Sequence, residues 1–132
     1  MKVIDETMNR TKALPSAAAS ATTAVVDFGP DGPIGPIGTN LEVRLEVDAC
    51  PNLVEAKTIT FTFEDSADNS SYAPLEGGPT YVVTGGSGNG AAADGWSFHL
   101  PNHTRRYLKA KAAVLTAGGD NTGSNFTLLF KV

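Results

Sequence analysis

Two histidines, one cysteine and a scatter of carboxylates are the groups in this chain with reactive potential. His99 and His103 are the only histidines and Cys50 is the only cysteine. A structural zinc site needs four nitrogen or sulfur ligands, and no cysteine or further histidine joins this pair at ligand spacing. Cys50 precedes Pro51 with no basic neighbour in sequence to draw off its proton, so it reads as a small half-buried filler rather than a nucleophile. Asp65, Asp68 and Asn69 follow a strand-like run, but they lack the glycine and distal glutamate of a calcium loop. They read as a turn held by side-chain-to-backbone hydrogen bonds. Gly85 to Gly90, GGSGNG, has the glycines of a phosphate loop but is followed by Ala91, Ala92 and Ala93, where a lysine and a hydroxyl residue would be needed. No catalytic residue, metal ligand set or cofactor site emerges, and the expectation is a protein that binds rather than one that turns over substrate.

Two further segments suggest contact. Gly29 to Gly38, GPDGPIGPIG, repeats glycine every third residue as collagen does, but is too short for a triple helix and reads as a stiff polyproline-like loop. Arg105, Arg106, Lys109 and Lys111 are the one basic cluster. On a strand Arg106 is out of phase with the two lysines, and cross-strand pairing with Glu42, Glu46 or Asp48 is the expected fate of these charges. Asn69-Ser70-Ser71, Asn102-His103-Thr104 and Asn125-Phe126-Thr127 fit the glycosylation pattern, which carries no weight without a secretory signal.

The elements that would hold these groups are strands. Leu41, Val43, Leu45, Val47 and Ala49 alternate with Glu42, Arg44, Glu46 and Asp48. Ala24, Val26 and Phe28 share a face, as do Ile59, Phe61 and Phe63, with Thr58, Thr60 and Thr62 opposite. Trp96, Phe98 and Leu100 follow, then Leu108, Ala110, Ala112 and Val114, and Phe126, Leu128, Phe130 and Val132 close the chain. Thr80–Thr84 adds a short run. Period-two alternation of this kind builds antiparallel sheets with one wet face. The predicted core includes Phe61, Phe63, Trp96, Phe98, Leu108, Phe126 and Phe130. The predicted fold is all-β, an antiparallel jelly-roll-like β-sandwich over residues 23–132. The strand count also fits an immunoglobulin-like order, although the Cys…Trp…Cys pattern is missing.

Residues 1–22 show no such pattern and are predicted to form an extended arm, with a short strand near Val3 and Ile4. Val3, Ile4, Met8 and Leu14 are its sizeable apolar residues, and Pro15 interrupts any helix. An arm that buries nothing in its own domain either stays mobile or orders on a partner. Val3, Ile4, Met8, Leu14, Arg105 and Arg106 are therefore the candidate partner-binding residues.

Bulk composition narrows the partner. The 132 residues suit one domain, and 14 glycines with 8 prolines suit many turns. Net charge is −4, with +1 on residues 1–22 and −5 on the rest. An acidic body disfavours nucleic acid, which needs a basic face. The longest apolar run is too short to span a bilayer, and no apolar run precedes Ala17–Ala19 as a secretory signal would require. The expected location is a cytosol or a particle assembled there.

TAVVDFG (Thr23–Gly29), LEVRLEV (Leu41–Val47), TFTFEDSADNSSY (Thr60–Tyr72) and LPNHTRRYLKAKAAV (Leu100–Val114) occur in an order that resembles the jelly-roll cement, or head-decoration, proteins of tailed bacteriophages. The resemblance covers nearly the whole chain, and the proline-rich loop after Gly29 departs from it. It implies a structural virion protein, not an enzyme, with no catalytic residue or cofactor to carry over. Such a protein sits on the outer capsid surface, binds the major capsid protein, and bridges neighbouring capsomers against DNA pressure. It also implies self-association as a dimer or trimer, with no direct contact with nucleic acid or membrane. A tail-fibre or baseplate domain and a carbohydrate-binding sandwich are the rival expectations; the second requires exposed aromatic rings on one face or loop.

Overall fold

Alternation in Leu41–Val47 and Tyr107–Val114 buries every second side chain, so both segments lie with one face on a core and one toward water. The computed structural model describes residues 8–30 and 41–131, and within them the only regular elements of any length are strands. In chain order these are β1 (Arg10–Ala13), β2 (Ser20–Thr22), β3 (Val26–Asp27), β4 (Glu42–Val47), β5 (Thr58–Ser66), β6 (Ala73–Pro74), β7 (Tyr81–Thr84), β8 (Asp94–His99), β9 (Tyr107–Val114) and β10 (Asn125–Lys131).

The strands form two antiparallel sheets. Sheet A has the order β1-β10-β4-β8. Sheet B has β9 and β5 at its centre; β2 and β3 both pair with β9, and β6 and β7 both pair with β5. The outer strands of sheet B are thus each laid down in two pieces. With each split strand taken as one, the first strand pairs with the last, the second with the next to last, and so inward to β5 with β6 and β7. That nesting is the jelly roll, and it excludes the immunoglobulin-like order.

The core lies between the sheets. Phe61 packs against Phe126 at 5.6 Å between ring centroids and against Trp96 at 6.0 Å. Phe63 meets Phe98 at 4.8 Å. Phe61, Phe63, Leu108, Phe126 and Phe130 are buried as expected, whereas Trp96 and Phe98 are only half-buried because β8 is an edge strand.

Three expectations are corrected. The segment 10–22 is not a loose arm: β1 joins sheet A, β2 joins sheet B, and Leu14 between them is 1% exposed in the core. An edge strand is held by its backbone ladder and needs no apolar alternation, which is why RTKA shows none. Near residue 24 the inward residues are Thr23 and Val26, and Ala24 is exposed; the Thr23 hydroxyl accepts from the Ala110 N–H at 3.1 Å, so a polar residue sits where an apolar one was expected. At the end of β4 the phase slips: Ala49 is exposed and Cys50 is buried, in an isolated bridge to Ala91. Val3, Ile4, most of the Gly29–Gly38 loop and Val132 lie outside the described residues.

Candidate partner-binding site

Asp27, Asp65 and the adjacent pair Arg105 and Arg106 come from three places in the sequence and meet at one end of sheet B. The chain enters β9 through a turn in which both the backbone N–H and the hydroxyl of Thr104 donate to the Pro101 carbonyl, at 3.1 and 2.7 Å. This turn points Arg105 toward the end of β5 and Arg106 toward β3. The Arg106 guanidinium forks onto Asp27, Nε to Oδ1 at 2.7 Å and Nη2 to Oδ2 at 2.9 Å. The Asp27 carboxylate also accepts from the Gly29 N–H at 2.8 Å. The bond from Arg106, then that from Gly29, hold the Asp27 carboxyl down at about 2.

Arg105 grips Asp65 three ways. Its N–H donates to Oδ2 at 2.9 Å, and Nη2 donates to Oδ1 and to the Asp65 carbonyl, both at 2.8 Å. Burial raises the Asp65 carboxyl, but the bonds from Arg105 outweigh it and the net shift is downward. The pairing predicted for these arginines, with Glu42, Glu46 or Asp48, is wrong because those acids lie on sheet A; Arg44 takes Glu46 there at 2.8 Å. Neither Arg105 nor Arg106 is a free charge awaiting a partner.

Two tyrosines complete the patch. Tyr72 ends the loop after β5, and its hydroxyl donates to Asn69 Oδ1. Lys109 Nζ sits 3.8 Å from the Tyr72 ring centroid and 3.8 Å from Glu64 Oε2. The Arg106 guanidinium lies 4.9 Å from the Tyr107 ring centroid. Sequence reasoning passed over Tyr72, Tyr107 and Asp27; the available signal was their place beside the turn residues of segments already singled out. The loop before Tyr72 is built on Asp68, whose carboxylate accepts from the N–H groups of Ser70 and Ser71 at 2.9 and 3.0 Å and from the Ser66 hydroxyl at 2.9 Å. Those bonds, Ser71 first, bring Asp68 to about 2. This is the side-chain-held turn that the sequence indicated.

The other candidates are not drawn together. Leu14 is enclosed in the core and is not offered to a partner, and Met8 is partly buried against that core. Cys50 is buried with its thiol donating to the Asp48 carbonyl at 3.2 Å, and burial pushes its pKa up, away from reactivity. His103 Nε2 is 2.7 Å from the Glu76 carbonyl, and His99 stands exposed on β8 opposite Glu42. Among the described residues no three of His, Cys, Asp and Glu gather where they could hold a metal ion. The GGSGNG segment is a closed turn: a Cβ on Gly85 would stand 2.2 Å from the Val54 carbonyl oxygen, and the N–H of Gly86 is spent on Gly90.

What converges is a patch of paired charges and two tyrosines. Glu64, Asp65 and Asp27 neutralise Lys109, Arg105 and Arg106, and tyrosine with arginine is the composition of interface hot spots. Residues 11–129 of the chain, spanning both sheets and this patch, match the Bbp16 family. The chain belongs to the Bbp16 family.

No curated protein matches this Bbp16-family sequence. Among solved structures, the PBSX exported protein XepA is similar over 99% of this chain, at 14% identity and a TM-score of 0.52. The chain spans only 36% of the length of that protein. A carbohydrate-binding module of Caldicellulosiruptor saccharolyticus, CBM27-1, solved with mannohexaose, is similar over 100% of this chain and 81% of its own, at 8% identity and a TM-score of 0.50. At such identities the likeness is one of fold, and it agrees with the jelly-roll order of the Bbp16-family chain.

Proposed function

We propose that this protein is a structural component of a tailed-phage virion. It binds the outer surface of the capsid, contacts major capsid protein, and cements neighbouring subunits against the pressure of packaged DNA, as a dimer or trimer. The observation that supports this reading is the convergence of Asp27, Asp65, Arg105 and Arg106. Segments that carry the resemblance to cement proteins, VVDFG, FEDSADN and RRYLK, are held together by these pairs. The jelly roll is also a recurrent architecture of viral capsid domains. Tyr72 and Tyr107 supply contact area on a framework already rigid, which lowers the entropy lost on docking.

The test is sedimentation with phage shells that lack the protein. The purified chain should pellet with them in a fixed ratio to major capsid protein. Replacing both Tyr72 and Tyr107 by alanine, with the fold verified by circular dichroism, should weaken attachment by about tenfold or more. A wild-type chain left in the supernatant, or a double variant that binds as well, overturns the reading. A carbohydrate-binding role is the second reading, favoured by two tyrosines sharing one patch. It ranks lower because a cation lies against each ring, where a sugar would stack. Calorimetric binding of mannohexaose at the tyrosine patch would reverse the order.

A further inference from the structure

The edges of the two sheets are defended unequally. An edge strand presents unpaired N–H and C=O groups, and natural sheets blunt such edges with charges, prolines or breaks. In β1, Arg10 and Lys12 lie opposite the buried Leu128 and Phe126, so two cations occupy the inward phase of that edge. The outer edges of sheet B are broken, one between Thr22 and Val26, the other between Pro74 and Tyr81. β8, Asp94–His99, runs six residues without a break and holds no proline, lysine or arginine. Among the described strands it pairs with β4 alone.

The ladder fixes which groups of β8 face outward. The Leu100 N–H donates to the Leu41 carbonyl, which makes that pair hydrogen-bonded, and alternate pairs back along the strand turn Phe98, Trp96 and Asp94 toward β4. The far side of β4 agrees: the Asp48 N–H donates to Asn125, so Glu46 and Arg44 bond β10 while Val47, Leu45 and Val43 bond β8. Gly95 and Ser97 therefore direct their backbone groups to the open edge. The Gly95 N–H is taken by the Asp94 carboxylate at 2.7 Å, leaving the Gly95 carbonyl and both groups of Ser97.

Two features lie beside that edge. Trp96 stacks on Tyr81 of β7 at 4.8 Å and 6° between ring planes, with Phe98 at 6.4 Å from Tyr81, and all three rings are half-buried. At the Asp94 end, Arg44, Glu46, Asp48 and Asp94 line a shallow depression with one cation against three carboxylates. Arg44 is already committed to Glu46 at 2.8 Å, so the depression is net acidic.

We propose that β8 is a strand acceptor. An extended segment of a partner polypeptide adds to the edge of sheet A that β8 forms among the described strands, lays alternate apolar side chains against the Tyr81–Trp96–Phe98 seam, and sets a lysine or arginine against Asp94 and Asp48. Main-chain bonds supply affinity in this mode, and the seam and the acidic end supply selectivity. The inference stands apart from the capsid reading, since the occupant is defined by the seam and the acidic end alone: an extended segment with alternate apolar side chains and a lysine or arginine at its end.

The test uses the full chain, labelled with nitrogen-15, and two blocked peptides, Lys-Thr-Val-Thr-Val-Lys and Glu-Thr-Val-Thr-Val-Glu. The lysine peptide should shift the amides of Gly95 and Ser97 and the Trp96 indole saturably. The glutamate peptide should bind about tenfold more weakly. Ser97→Pro removes the outward N–H at an edge position where proline is tolerated, and should abolish binding, while Ser97→Ala keeps it. Should Ser97→Pro fail to fold, slowed hydrogen exchange at the wild-type Ser97 amide on adding the lysine peptide serves in its place. Absence of shifts with either peptide, equal binding by a folded Ser97→Pro, or self-association through β8 that excludes the peptide overturns the proposal.

Discussion

Asp27, Asp65 and Asp68 each bind their protons less tightly folded than unfolded, because each carboxylate accepts hydrogen bonds that its protonated form would lose. The folded state therefore holds fewer protons as acid is added, and stability is full above the ordinary carboxylate range, near pH 4, and drains as pH falls toward about 2. The melting temperature should hold from neutrality to about pH 5 and decline below about pH 4, and Asp27→Asn should flatten part of that decline. A melting temperature unchanged down to about pH 2 would contradict the ion-pair account. Leu14 carries a second prediction at this scale. Leu14→Ala should cost about 2–5 kcal/mol by denaturant melt, since the side chain is fully enclosed; a loss below about 1 kcal/mol would mean that the site collapses or that Leu14 is not a core plug. Neither fact was legible in the sequence. Leu14 is an isolated apolar residue beside Pro15, and only the crossing of the chain from sheet A to sheet B gives it a cavity to fill. Arg105 and Arg106 were legible as a basic pair, but their acids lie about 40 and 79 residues away, beyond the reach of spacing.

The strands with two-sided contrast could be read directly. β4, β5 and β9 show every second residue buried, and their alternation in the sequence is the imprint of one wet face. The elements that escaped were the edges. β1, β2, β3 and β6 are two to four residues long and are stabilised by ladder bonds to β10, β9 and β5, not by a stripe of their own. The arm is where this matters most. Removing residues 1–22 would strip β1 from β10 and β2 from β9, withdraw Leu14, and leave β10 with a bare edge and β9 covered on that side by β3 alone. The truncated protein should be insoluble or unfolded, as judged by circular dichroism and light scattering, rather than a stable body lacking a strap. A truncated chain with native melting behaviour would show that the two strands are dispensable.

Over the whole molecule, the jelly roll brings the earliest described strand against the latest. Arg10 lies opposite Leu128 and Ala13 opposite Asn125, so that ladder closes a loop of nearly the entire chain, at the entropic cost such a loop carries. All-β topologies of such long-range pairing fold in roughly milliseconds to seconds. The same pairing sets how the protein bears mechanical load. β1 begins where β10 ends, so both exits leave from one end of sheet A. A force that draws the two exits apart runs along the ladder bonds and meets them one at a time, as in a zipper, instead of loading them together in shear. The described fold should thus yield at low force when pulled from its ends and resist far more when pulled between positions on β4 and β8, a difference that single-molecule extension can measure. Tension applied through one partner at a broad face would be borne; tension applied through the termini would peel the molecule open from β1.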